Sequence, residues 1–190
     1  MINILIVGIC IVMFILSVVM PQLYYYFALW PNLFIYMPWQ IVTSIFMHGG
    51  ITHLLVNMFV LFIFGTYLER IVGSKNYLLI FLTSGIVGNL AYILYAYLTG
   101  DYFPSVGASG AIFGVMGALA ILAPHLRVVV FPLPVPISIK LAVIIFALID
   151  LILLPYTSKT GIAHITHLAG LITGLILGKF LYNRMDVRYY

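Results

Sequence analysis

SGAIFGVMGALAILA, residues 109–123, carries no charge, and its only strongly polar side chain is Ser109 at the first position. Gly110, Gly114 and Gly117 recur at spacings of four and three, so they share one face of a helix. In a soluble helix each interior glycine would be penalised by about 1 kcal/mol relative to Ala. In a membrane the same small residues let helix backbones come into near contact. At 1.5 Å per residue the stretch reaches only about 22 Å, short of a hydrocarbon core of roughly 30 Å. It reads as a short helix enclosed by longer ones. If it is anchored at the cytoplasmic face, Ser109 lies several ångströms below the outer surface.

The rest of the chain supplies those longer helices. Apolar runs at about 2–20, 52–68, 77–98, 137–154 and 161–182 flank the short one, which gives six candidate spans in one all-α, polytopic membrane domain over 1–190. Composition agrees: 65% of the 190 residues are apolar and 6% are charged, against about 45–50% and about 25% in a soluble domain. No globular core of this length hides so much apolar surface. The net charge of +4 rests on only eight Lys and Arg spread along the chain, a membrane-topology signal and not a nucleic-acid surface. The single cysteine, Cys10, cannot form an intrachain disulfide. Run 2–20 lacks a basic leader and a small-residue cleavage site, so it reads as a retained span and not as a signal peptide.

Charge then sets the expected orientation. With six spans, Arg70, Lys75, Arg127, Lys140, Lys179, Arg184 and Arg188 fall on one side and only Lys159 on the other. The positive-inside rule puts both termini in the cytoplasm of a cell membrane. Segment 21–50 has no Lys, Arg, Asp or Glu but is rich in Tyr and Trp. Such a segment is expected to lie as a lobe in the membrane interface.

Polar residues within spans are functional candidates. His53, Asn57, Ser109 and His167 come from three different spans and fall at similar depth on the outer side. His167 heads the second glycine face, Gly170, Gly174 and Gly178. Packing that face on Gly110, Gly114 and Gly117 would bring the Ser109 hydroxyl to a His167 ring nitrogen, the minimum for nucleophilic catalysis. His53 and Asn57, four apart, share a helix face. Asn57, His48 and the Ser109 backbone N–H are candidate oxyanion donors. His164, three residues before His167, competes for the role of base, and His53 reads equally as a structural residue holding the first loop.

Gly107-Ala108-Ser109-Gly110 resembles the GxSG nucleophile motif of the rhomboid intramembrane proteases. His48, His53 and Asn57 resemble the family's second-span H-x4-H-x3-N pattern, and His167-Leu168-Ala169-Gly170 its final-span HxxG. Glu69-Arg70 with Gly73-Ser74 is similar to its turn after span two. The resemblance implies Ser109 as nucleophile and His167 as general base, with no acidic third member. It implies an oxyanion hole of His48, Asn57 and the Ser109 amide, and Phe113 packed on the His167 ring. His53, Gly107, Gly110 and Gly170 would support the site. Two departures stand out: Phe113 occupies a position where the family often has Tyr, and the family's first-loop Trp-Arg pair is Trp39-Gln40 here.

The implied activity is cleavage of transmembrane segments near their outer end, through an acyl-enzyme. The expected partners are single-span membrane protein substrates and the lipid bilayer, with no cofactor, no metal and no nucleic acid. Three other readings compete. A metalloprotease built on His48, His53, His164 and His167 lacks an HExxH motif and a carboxylate expected at the right depth. A small transporter would be marked by inverted repeats or paired helix breaks. A catalytically inactive rhomboid relative would lack a motif residue, and all of them are present.

Overall fold

The computed structural model describes residues 1–130 and 135–184; Arg188, counted above among the positive charges, lies outside them. Helix α1 (Ile2–Val19) leads into the first loop, which holds the short helices α2 (Gln22–Phe27) and α3 (Gln40–Thr43). Helix α4 (Ile51–Val60) runs through a π-helical turn (Leu61–Gly65) into α5 (Thr66–Thr99). Then come α6 (Ser109–Leu122), a hairpin of β1 (Arg127–Val128) and β2 (Ile137–Ser138), α7 (Ile139–Leu153), α8 (Thr157–Thr160) and α9 (His164–Arg184).

Four helical runs are long and apolar enough to cross a membrane: Ile2–Val19, Ile51–Thr99, Ile139–Thr160 and His164–Arg184. The second breaks at Gly73, whose φ of 75° leaves the helical region. Residues 51–72 and 74–99 are thus separate limbs, and with α6 the described residues offer six, compatible with six crossings. The expected connection 69–76 shrinks to that one glycine. Glu69 explains the economy. Its buried carboxylate accepts the Ile2 and Asn3 N–H groups at 2.7 and 3.0 Å and the Ser74 hydroxyl. A carboxylate at a helix N-terminus meets unpaired N–H groups and a favourable dipole. It therefore caps α1 and pins the turn together.

Two span boundaries move. The span expected at 137–154 starts two residues later, because Ile137 and Ser138 pair with Val128 and Arg127. Ser138 then caps α7, its Oγ accepting from the Leu141 N–H at 3.2 Å. The span expected at 161–182 starts at His164, because Gly161 ends α8 with φ 67°.

Helix α6 is the centre. Gly110–Ile112 and Gly114–Ala120 are buried, and α5 and α9 pack along it. The two glycine faces touch backbone to backbone. A Cβ on Gly117 would stand 2.6 Å from the Leu171 carbonyl oxygen, and one on Gly170 or Gly174 would overlap the carbonyl oxygen of Gly110 or Gly114. Any side chain there would push α9 away from α6.

The first loop packs as a lobe around one buried amide. Gln40 accepts the Trp30 N–H at 3.1 Å and donates to the Tyr25 carbonyl at 3.0 Å. The Trp39 indole donates to Tyr26 O at 2.9 Å. Gln40 is fully buried and holds the lobe together through these contacts. Asn89 on α5 ties the lobe to the bundle, donating to Ile41 O at 2.8 Å and Ser44 Oγ at 2.9 Å.

Candidate active site

Ser109 is the first residue of α6, so its N–H is among those without a partner inside the helix. Gly107 delivers the chain to that point with φ 127° and donates its N–H to Ser44 O at 2.9 Å. A Cβ at Gly107 would stand 2.7 Å from His53 Cε1. Both the backbone angle and the space therefore demand glycine.

His167 lies one turn into α9, and its Nε2 is 2.8 Å from Ser109 Oγ. Phe113, one turn after Ser109, stacks flat on the imidazole, with centroids 4.5 Å apart and planes 6° apart. Phenylalanine brings no phenolic hydroxyl here, so the contact is purely face-on. Gly110 and Gly170 lie directly behind the pair, where α6 and α9 meet.

The other edge of His167 meets a carboxylate, which corrects the expectation of no acidic member. Asp150, near the C-terminal end of α7, has its two oxygens 3.1 and 3.2 Å from His167 Nδ1. Its Oδ1 is also 2.6 Å from His164 Nδ1. His164 is buried, with Nε2 3.0 Å from Thr160 Oγ1. The expected lack of a carboxylate at the depth of the histidines is corrected as well. Asp150 precedes the end of α7 by one turn, and α9 begins at that level. The sequence offered one signal: an ionisable side chain within a span is a functional candidate by default.

Asp150, His164 and His167 present ligand atoms within 4.8 Å of one another. Two ligands on one tetrahedral zinc, each about 2.0–2.2 Å from it, stand roughly 3.3 Å apart. The 2.6 Å between Asp150 Oδ1 and His164 Nδ1 is instead a hydrogen-bond length.

A cavity of about 1440 Å³ has His53, Asn57, Gly107, Ser109, Phe113 and His167 in its wall. Asn57 donates one amide hydrogen to His53 O at 2.8 Å and keeps a second. His48 is not part of that wall. It is buried against His53, with ring centroids 5.2 Å apart, and borders a smaller cavity of about 350 Å³ with Phe14, Ser17 and Tyr24. Neither His48 ring nitrogen has a hydrogen-bond partner among the described residues. Burial, with His53 adding to it, pushes this imidazole from the ordinary 6.5 down to about 4, so it is neutral near pH 7.

Fold and site together define a multi-pass membrane protein with a serine–histidine pair at the wall of a large cavity. Residues 36–184 match the Rhomboid domain, and the chain belongs to the rhomboid family. It is 34% identical over 151 residues to the putative rhomboid protease YdcA of Bacillus subtilis, covering 80% of this chain and 71% of that one. It is 45% identical over 85 residues to rhomboid protease GluP of the same organism, covering 45% of this chain and 16% of the relative. Against the mitochondrial rhomboid protein 1 of Saccharomyces cerevisiae it is 40% identical over 99 residues, covering 51% and 29%. The chain thus spans under a third of the last two relatives. Proteases of this family are serine intramembrane peptidases that act on membrane proteins within the bilayer, and some family members are inactive.

Proposed function

We propose that this chain is a single six-span domain acting as an intramembrane serine endopeptidase, with Ser109 as nucleophile and His167 as general base. The observation that carries this is the 2.8 Å contact between Ser109 Oγ and His167 Nε2 at the wall of a large cavity. Oγ attacks the scissile carbonyl carbon while its proton passes to Nε2. The C–N bond then breaks, and His167 gives the proton to the leaving amine. A water molecule, deprotonated by His167, attacks the acyl ester, and Ser109 recovers its proton as the acid product leaves.

The developing oxyanion takes hydrogen bonds from the Ser109 N–H and the free amide hydrogen of Asn57. In a water-poor site one such donor contributes about 10²–10³ in rate. His48, neutral and unpaired, is a third donor if His53 moves aside. The cavity wall also includes Val56, Phe59, Ile63 and Tyr67, and Phe146 of α7. That apolar passage suits the end of a single-span substrate arriving from the lipid.

The charge distribution supports both termini in the cytoplasm of a cell membrane and a site opening to the outer side. The test is a fluorophosphonate probe followed by mass spectrometry. An adduct on Ser109 that disappears in His167→Ala is expected. A probe that fails to label the folded protein, or labels another serine, overturns the assignment.

A further inference from the structure

We infer that Asp150 is the positioning residue of the site: it fixes His167 in the tautomer that leaves Nε2 free to take the Ser109 proton. This rests on the protease reading above. An ionised carboxylate only accepts hydrogen bonds. With both Asp150 oxygens within 3.2 Å of His167 Nδ1, that nitrogen must carry the hydrogen. A neutral ring then has its lone pair on Nε2, the atom 2.8 Å from Ser109 Oγ. Phe113 fixes the plane of the ring, but stacking does not depend on which nitrogen is protonated. Only the carboxylate distinguishes the two edges. When Nε2 takes the serine proton, the same carboxylate faces the new imidazolium.

The placement of Asp150 argues for a role beyond filling space. Its side chain is only 7% exposed, on a helix whose neighbouring residues Leu151 and Ile152 are exposed apolar surface. A charge in such a span is tolerated when paired. His164 supplies the second pairing. Three residues before His167 on α9, it shares the same helix face and meets the same oxygen, Oδ1, at 2.6 Å. One histidine holds the carboxylate, and the carboxylate holds the other histidine.

The experiment compares wild type with Asp150→Asn and Asp150→Ala in lipid by four readouts: kinetics of cleavage of a reconstituted substrate, the rate of fluorophosphonate labelling, ¹⁵N spectra of histidine-labelled protein, and melting temperature. In the wild type at neutral pH, His167 should show a protonated Nδ1 and a bare Nε2. Both variants should lose about a hundredfold or more in kcat and in labelling rate with little change in KM. The His167 signals should shift towards a protonated Nε2. A purely structural Asp150 would lower the melting temperature and leave kcat and tautomer unchanged, and that result overturns the inference. If neither variant folds, the wild-type spectrum decides, since a protonated Nε2 contradicts it. A wild type that neither cleaves nor labels would instead count against the protease reading, while the spectrum would still report on Asp150.

Discussion

Gly170→Ala places a methyl group where α9 meets α6, one turn from His167 and opposite the residue that follows Ser109. The new Cβ would overlap the Gly110 carbonyl oxygen and stand 2.9 Å from its carbon and 3.3 Å from its Cα. Carbon atoms in contact rest at about 3.5–4.0 Å, so the helices must part by about 1 Å to clear both atoms. The strain of such overpacking is about 1–3 kcal/mol, offset in part by the roughly 1 kcal/mol that Ala gains over Gly in a helix. The net loss of stability is therefore modest. Activity should suffer more. The 2.8 Å Ser109–His167 hydrogen bond would open to roughly 3.5–4 Å, beyond hydrogen-bond range. A misplacement of this size is expected to lower the rate by about 10²-fold. The assay is cleavage of a fluorogenic transmembrane substrate in liposomes, run beside thermal unfolding. Gly8→Ala is the control, because nothing lies within 4 Å of its Cβ position, and it should match wild type. If Gly170→Ala kept both wild-type turnover and wild-type melting, the account of helix contact as the device that sets the catalytic distance would be refuted.

Asn57→Ala should lower kcat by about 10²-fold or more while KM stays within a few-fold; a change confined to KM would assign Asn57 to substrate binding. Gln40→Ala strands the Trp30 N–H and the Tyr25 carbonyl and should destabilise the fold by about 1–3 kcal/mol. It should also speed proteolytic nicking within 21–50, and an unaltered melt would show the lobe to be anchored elsewhere. His48 gives a pH dependence. Its folded value of about 4 lies below the ordinary 6.5, so the unfolded chain binds a proton there that the fold excludes. Stability should fall as pH drops from about 6.5 towards 4, and His48→Asn should flatten that fall; an equally steep decline in the variant would count against it.

The sequence made the bundle legible because its decisive features are local. Residues 109–123 announce a short, glycine-faced central helix, and the HxxG stretch announces its partner. Once the two faces pack, the meeting of Ser109 and His167 follows. Asp150 was hidden because its role depends on three unrelated endings: where α7 stops, how Gly161 turns the chain after α8, and where α9 begins. An error of a few residues in any of them moves the carboxylate by a helical turn. His48 illustrates the converse. Its spacing to His53 and Asn57 marks it for the site, but spacing cannot reveal that its ring packs against His53 and lies outside the cavity wall. Gln40 took the anchoring work through its surroundings, the backbone of Tyr25, Tyr26 and Trp30, which no spacing encodes.

The most direct test of the protease assignment uses purified protein reconstituted with a single-span substrate in the presence of a chelator, with the products identified by mass. Wild type should cut near the outer end of the substrate span and be unaffected by the chelator. Ser109→Ala should give no product while melting within about 1 kcal/mol of wild type, the net contribution of one buried hydroxyl. Cleavage by Ser109→Ala at the wild-type rate, or cleavage lost to the chelator and restored by zinc, would contradict the account.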